Sequence, residues 1–180
     1  RSLNTYVPGR ISDNPVAVYS GSTQGLDPTE DGARGCFVVD LDESGAREEF
    51  VETASIRWRT FEVDASELQG LDDLRSALEK ACAEVRESSD GRPTIVRLGL
   101  TGRSAVHRPL SRPGVLSDLV ADLRMEQLDL DPWIWIDRVR DRTRPPLDVG
   151  KILEEEGLRG DLARIARALA SNSAEAERLA

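Results

Sequence analysis

Thr94-Ile-Val-Arg-Leu-Gly-Leu100, near the middle of the chain, gives the clearest strand signal, because apolar side chains alternate along it with other residues. Such alternation places Val96, Leu98 and Leu100 on one face of a β-strand, where they can face a core. The turn-forming residues Thr101-Gly-Arg103 follow directly. We therefore predict a strand over this stretch that is buried on one face.

Helical patterns lie on both sides of this strand. Before it, six apolar residues recur at the spacing of a helix face: Leu71, Leu74, Leu78, Ala81, Cys82 and Val85. After it, Pro113-Gly114 opens a second helix, whose apolar stripe is Leu116, Leu119, Val120 and Leu123. With further strands predicted at 56–63 and from 133 towards 139, the order is β-α-β-α-β. This order predicts a small two-layer unit with helices on one face of a three-stranded sheet.

The segments outside this unit differ from each other. Turn formers dominate 1–15, which predicts a loop, whereas 16–19, 35–41 and 48–51 indicate strands, the last two as a hairpin. The tail is helical in pattern at 149–156 and 161–179, with Asp161 as the predicted N-cap and Gly157 and Gly160 between the helices. The predicted fold class is therefore α+β.

Composition excludes several classes of function. The 180 residues carry a net charge of −9, and there is no apolar run long enough to cross a membrane. A single histidine, His107, excludes chemistry that needs a histidine cluster. The two cysteines, Cys36 and Cys82, are too few for a disulfide framework or a zinc site. We expect both to be small buried hydrophobes in a reducing compartment.

One stretch of this acidic chain contains no acidic residue at all. The segment 92–115, which we call the arginine island, holds five arginines and the one histidine: Arg92, Arg97, Arg103, His107, Arg108 and Arg112. Guanidinium groups bind phosphate with two parallel hydrogen bonds, so the island is a candidate phosphate-contacting surface. The alternative is that these arginines pair with acids on neighbouring helices.

The motifs that would carry catalysis are missing. The sequence has no G-x-S-x-G, no G-x-x-x-x-G-K-[ST] and no C-x-x-C. The segment Ser20-Gly-Ser-Thr-Gln-Gly25 is rich in glycine, but a loop follows it, so a strand-ending turn is expected rather than a phosphate cradle. We predict no catalytic residue and no metal ligand in this chain.

Several segments match a family pattern in the right order. They are Tyr19-Ser-Gly-Ser-Thr-Gln-Gly25, Glu30-Asp-Gly-Ala-Arg-Gly-Cys-Phe-Val-Val-Asp40, Val96-Arg-Leu-Gly-Leu-Thr-Gly-Arg103 with His107, and Trp133-Ile-Trp-Ile-Asp137. Together they resemble the SbcD/YhaO-like DNA repair exonucleases of the calcineurin-like metallophosphoesterase superfamily. The chain departs from that pattern at Ser20, Leu26 and Arg34, where the family usually has Pro, Arg and Lys.

The resemblance implies a division of the chain. Residues 1–55 would be the last strands of the phosphoesterase domain, 56–148 a capping domain and 149–180 a helical tail. The family's nuclease chemistry uses two manganese ions held by histidine-rich motifs that this sequence lacks. The resemblance therefore implies that the chain begins beyond those motifs, with the two Mn ions held in a catalytic domain outside it.

The resemblance also implies partners. DNA would contact the capping domain, and we assign that contact to Arg103, His107, Arg108 and Arg112. The helical tail would dock on the coiled coil of an ABC-type ATPase through the apolar residues Leu162, Ile165, Ala166 and Leu169; the alternative is that this stripe covers the chain's own sheet. A homodimer would form through the missing domain, and the location would be cytoplasmic, away from membranes.

Three functions remain open from the sequence. The first is a non-catalytic capping region that positions DNA for a metal-dependent repair nuclease. The second is a protein–protein interaction module without DNA contact. The third is a stand-alone enzyme, which would need a site built without a histidine cluster, a thiol pair or a nucleotide loop.

Overall fold

A computed structural model describes residues 9–13 and 16–171 of the chain. The chain divides into two compact units, Arg1–Pro145 and Pro146–Ala180. The described strands are β1 (Gly9–Asp13), β2 (Val16–Tyr19), β3 (Gly35–Asp42), β4 (Gly45–Glu52), β5 (Arg57–Asp64), β6 (Thr94–Thr101) and β7 (Ile134–Asp141). The described helices are α1 (Leu71–Glu87), α2 (His107–Leu110), α3 (Val115–Leu128), α4 (Val149–Glu154) and α5 (Leu158–Ser171). The predicted α+β class is confirmed, whereas the predicted domain ranges stay predictions.

The centre of the first unit is a parallel sheet in the order β5-β6-β7. As the alternation predicts, Val96, Leu98 and Leu100 of β6 are at most 2% exposed. They pack with Ile134 and Ile136 of β7 and with the apolar sides of α1 and α3. The two-layer β-α-β-α-β unit is thus confirmed. Its helices cover one face of the sheet, and we call the other the open face.

The helix that follows β5 has an acidic side chain that stabilises its N-terminus. The Asp73 carboxylate accepts hydrogen bonds from the backbone N–H groups of Gln69 (2.8 Å) and Gly70 (3.2 Å), just before α1. A carboxylate at this end also faces the positive end of the helix dipole. On its inner side α1 buries Leu74, Leu78, Ala81, Cys82 and Val85, which are five of the six residues in the predicted stripe.

The β-rich beginning forms two antiparallel pairs. β3 pairs with β4 over its whole length, so the predicted hairpin is confirmed and is longer than predicted. The prediction of a loop over 1–15 is wrong for β1, which pairs with β2. Turn-forming residues alone cannot reveal a strand whose hydrogen bonds come from a partner strand. Residues 1–8 lie outside the described part of the chain.

The segment before β3 lies against the start of β5. The Gln24 side chain donates to the backbone oxygen of Ile56 (2.7 Å) and accepts from the backbone N–H of Ser55 (2.9 Å). Further along, the Gly32 N–H donates to the Trp58 oxygen (3.0 Å), and Asp31 forms an isolated parallel bridge with Trp58. These contacts hold the loop around Asp31 beside the edge strand of the sheet.

The second unit contains α4 and α5, and two predictions fail there. α5 begins at Leu158, so Asp161 lies in its first turn and is not its N-cap. Gly160 lies inside the helix rather than between helices. Glycine inside a helix costs about 1 kcal/mol relative to alanine. Gly160 is nevertheless suited to this position, because a Cβ there would collide with the Glu155 backbone oxygen. The predicted helix beyond Ser171 falls outside the described residues.

The structure also tests the predictions about the two cysteines and about membrane-spanning segments. Cys82 is buried, as expected, and burial raises the pKa of its thiol to about 11. Cys36 is only half-buried, so its predicted burial is true in part. Among the described helices, none combines the length and the apolar character that crossing a membrane would require.

Candidate nucleic-acid interface

The arginine island divides into two groups in the structure. Arg92 and Arg97 belong to ion pairs: Arg92 lies 3.4 Å from Glu52, and Arg97 lies 2.7 Å from Asp137. For these two, the reading that the arginines merely pair with acids is right, although the acids lie on or next to strands rather than on helices. Arg103, Arg108 and Arg112 have no ion pair with any described residue and are exposed.

The chain after β6 continues beside the chain after β7. The Arg142 N–H donates to the Leu100 oxygen (2.9 Å), the Arg144 N–H to the Gly102 oxygen (2.9 Å), and the Ser104 N–H to the Arg144 oxygen (2.9 Å). These bonds extend the parallel pairing past the ends of both strands. As a result Arg103 and Arg144 form a parallel bridge at the carboxyl edge of the sheet.

Gly102 makes this turn possible. Its φ of +94° is in the region that favours glycine, and a Cβ there would collide with the Ser66 hydroxyl and approach an Asp64 carboxylate oxygen to 2.6 Å. The Ser66 hydroxyl and backbone N–H both hydrogen-bond to Asp64, and they hold the pKa of that carboxyl below its usual range. The edge is therefore basic but also includes the negative charge of Asp64.

His107 is held by the same edge. Its Nδ1 lies 3.0 Å from the Thr143 hydroxyl, which in turn donates to the Asp141 carboxylate (2.6 Å). The imidazole is half-buried. This hydrogen-bonded chain matches the role of a satisfied structural histidine, and it fixes α2 against the segment that follows β7.

The predicted DNA-contacting residues are not all brought to one place. Arg103 donates to the Pro145 backbone oxygen (3.0 Å), so its guanidinium is oriented along the carboxyl edge, close to where His107 meets Thr143. Arg112 instead lines a groove of about 450 Å³ beside β7, together with Arg124 and Arg138. Arg108 is exposed on α2, between these two positions along the chain.

Sequence reasoning missed Arg144. A signal for it was present, because neighbouring parallel strands end at the same edge of a sheet, and Arg144 follows β7 as Arg103 follows β6. We define the basic edge as Arg103, Arg108, Arg112 and Arg144. Whether these arginines act together depends on a ligand, so the predicted DNA contact stays a prediction.

The predicted partner stripe lies on the exposed side of α5. Leu162 and Ile165 are each 56% exposed, Ala166 is exposed and Leu169 is half-buried. Leu158, one turn before Leu162, is 76% exposed and continues the stripe towards the start of the helix. The stripe is therefore available to a partner.

The structure also bears on metal ions. In residues 9–13 and 16–171, no three His, Cys, Asp or Glu side chains come together in a way that would hold one. The side chains described do not form a ligand set for two manganese ions, and no step proposed below depends on a metal.

The part of the chain that matches a known protein family coincides with the parallel sheet. Residues 58–144 match the family model of the middle domain of the metallophosphoesterase YhaO, and this range runs from the start of β5 to just past β7. A Bacillus subtilis (strain 168) protein, the uncharacterized metallophosphoesterase YhaO, is 24% identical over 132 residues. These residues are 73% of this chain and 32% of that protein. No solved structure matches the chain significantly. The chain is therefore related to the metallophosphoesterases, through a region similar to the middle domain of YhaO.

Proposed function

We propose that this chain is a non-catalytic, DNA-contacting capping part of a metallophosphoesterase that acts in DNA repair. The observation that carries the proposal is the basic edge, where Arg103 and Arg144 adjoin through paired backbone and Arg108 and Arg112 are exposed nearby in sequence. Arginines without an acidic partner are available to phosphate oxygens. Contacts to phosphates give affinity and orientation without sequence preference, which suits a nuclease that works on DNA ends.

The net charge of −9 limits how this surface can work. An acidic body repels DNA at long range, so binding must come from a local patch rather than from the charge of the whole chain. We therefore expect weak affinity for duplex DNA when the chain is tested alone. We expect much stronger retention of DNA when a catalytic domain contributes its own contacts.

The test compares two variants with the same change in charge. In the first, Arg103, Arg108 and Arg112 are replaced by alanine. In the control, Arg47, Lys80 and Arg159 are replaced by alanine; these residues are exposed and lie on other elements. Fluorescence anisotropy with labelled duplex DNA at low salt should show at least a tenfold loss for the first variant and a small loss for the control. Equal losses would contradict the proposal.

A second function, docking of a protein partner, is favoured by the exposure of the α5 stripe. An apolar stripe at i, i+4 and i+7 suits packing into the groove of a helical partner. We propose the coiled coil of an ABC-type ATPase as that partner. Leu162→Ala with Ile165→Ala should abolish co-sedimentation with the coiled coil and leave the melting temperature nearly unchanged, because both side chains are more than half exposed. A large drop in melting temperature would show that the stripe belongs to a core.

A further inference from the structure

The open face of the parallel sheet carries a row of residues that the proposed function does not use. Strand register places Thr60, Arg97 and Arg138 side by side across β5, β6 and β7. The next row in the same register is Glu62, Gly99 and Arg140. Because side chains alternate along a strand, both rows project from the face opposite α1 and α3. Both rows on the open face of the sheet therefore carry charged side chains.

These rows form the floor of a cleft of about 380 Å³. Pro28, Thr29 and Asp31 form one wall, since the loop that contains them is fixed along β5. The lack of a side chain at Gly99 leaves room in the cleft for the Glu62 and Arg142 side chains. A Cβ there would lie 2.5 Å from a Glu62 carboxylate oxygen and 2.7 Å from an Arg142 guanidinium nitrogen. The volume is in the range of small-molecule sites, which begin at about 300 Å³.

Ion pairs bound the cleft and leave its centre positive. On one side Arg97 pairs with Asp137 at 2.7 Å, and on the other Arg142 pairs with Glu62. The Asp31 carboxylate accepts from the Thr60 N–H (2.7 Å) and from Arg59 (3.3 Å). Each acid in or beside the cleft therefore already has a partner.

Arg138 and Arg140 are the exceptions. Both line the cleft, both are exposed, and within the described part of the chain no hydrogen-bond acceptor or acid pairs with either guanidinium. They are two residues apart on one strand and on the same face, which brings their Cα atoms to within about 7 Å. Two like charges this close repel each other unless an anion lies between them, and guanidinium groups prefer oxyanions that accept two hydrogen bonds.

A tryptophan lies one row further along the same face. Trp135 is opposite Ile95 in the register, is 37% exposed, and has the Arg124 guanidinium 4.9 Å from its ring centre. Equivalent positions in successive rows are about 7 Å apart, which is within the reach of one nucleotide from phosphate to base. Aromatic rings stack on any nucleobase, at about 1–3 kcal/mol per base.

We propose that the open face binds a phosphate-bearing ligand of nucleotide size, with its phosphate between Arg138 and Arg140 and its base towards Trp135. The site adjoins the basic edge at Arg138, which also lines the groove that contains Arg112, but Arg140 and Trp135 do not line that groove. The proposal does not depend on the proposed function: a chain that never contacts duplex DNA would still have this cleft. The shared chemistry is the phosphate group, carried by a mononucleotide or by the end of a single strand.

The experiment titrates the full 180-residue chain with three probes: inorganic phosphate, deoxyadenosine monophosphate and deoxyadenosine. Isothermal titration calorimetry should show binding of the monophosphate, weaker binding of inorganic phosphate and none of the nucleoside. Arg138→Ala with Arg140→Ala should weaken monophosphate binding at least tenfold. The matched control, Arg47→Ala with Arg159→Ala, removes the same charge at exposed positions outside both surfaces and should leave it unchanged. A single-stranded oligonucleotide with a 5′-phosphate tests whether a strand end is also accepted.

Two readouts separate binding in this cleft from other causes. The monophosphate should quench tryptophan fluorescence, and Trp135→Phe should remove the quenching while Trp133→Phe should not. Arg138→Lys with Arg140→Lys keeps the charge but removes the two-pronged geometry, so binding should fall to an intermediate level. Absence of phosphate and monophosphate binding at millimolar concentration would overturn the proposal. So would binding that survives in Arg138→Ala with Arg140→Ala.

Discussion

At the scale of single residues, Arg57 connects the β-rich beginning of the chain to the parallel sheet. It is 6% exposed, donates to both Glu52 carboxylate oxygens at 2.7 and 2.6 Å, and donates to the Asp90 carboxylate at 2.8 Å. It also donates to the Ser88 backbone oxygen at 3.0 Å. One buried guanidinium thus joins β4, β5 and the turn after α1.

Replacing Arg57 by alanine should destabilise the protein by at most about 3–5 kcal/mol, because Glu52 would remain largely buried with only Arg92, at 3.4 Å, as its partner. Urea unfolding followed by circular dichroism measures this loss. Arg108→Ala is the control, since Arg108 is exposed and unpaired, and it should change the free energy of unfolding by less than about 0.5 kcal/mol. A loss below about 1 kcal/mol for Arg57→Ala would show that the ion pairs are not structural.

The same contact predicts a pH dependence. The hydrogen bond and charge of Arg57 hold the pKa of Asp90 below its usual range. Because the folded-state pKa is lowered, the contribution is present above the unfolded pKa of about 3.9 and is lost as pH falls through the folded pKa. NMR titration should find the Asp90 pKa below about 3.9 in the native chain and nearer that value in Arg57→Ala. An unchanged Asp90 pKa would contradict the assignment of its cause.

At the scale of elements, the three-stranded sheet and its two covering helices were predictable, because alternation and helical spacing each have one simple physical cause. The failures concern interactions between elements. β1 depends on its pairing with β2, and the start of α5 at Leu158 depends on the close approach of Gly160 to Glu155. Neither the partner strand nor that approach can be inferred from local pattern alone.

The candidate site shows the same division. That Arg103 and His107 follow β6 could be inferred from the sequence. The sequence did not show that Arg97 forms an ion pair with Asp137 or that Arg144 lies beside Arg103. Nor did it show that Arg138 and Arg140 lie on the open face without an acidic partner among the described residues. Each of these depends on register between strands, including the irregularity between Val96 and Arg97 in the pairing of β6 with β7.

The turn after β6 provides an element-scale prediction. Gly102→Ala should destabilise the chain more than Gly91→Ala, although both glycines have positive φ. At Gly91 a Cβ meets nothing within 4 Å, so only the backbone cost of about 1–2 kcal/mol applies. At Gly102 the Cβ would also displace Ser66 and Asp64. Thermal unfolding of both variants measures the difference, and equal melting temperatures would show that the turn is not tightly packed.

At the scale of the whole molecule, positive and negative charges are distributed unevenly. The chain is acidic by nine charges, yet among the described residues arginines without an acidic partner lie at the carboxyl edge of the parallel sheet, as Arg103 and Arg144, and on its open face, as Arg138 and Arg140. The relation to the metallophosphoesterases covers this sheet, with residues 58–144 matching the YhaO middle domain. The aligned residues make up 32% of the Bacillus subtilis relative, so the activity of the whole protein stays a proposal.

The most direct test of the central claim is the salt dependence of duplex DNA binding. If the basic edge replaces counterions at three or four phosphates, the logarithm of the association constant should fall with the logarithm of salt concentration at a slope of about −3. Removing Arg103, Arg108 and Arg112 leaves only Arg144 of the basic edge and should bring that slope to about −1 or closer to zero. A slope near zero in the unaltered chain, or no detectable binding at low salt, would contradict the claim that this edge contacts DNA.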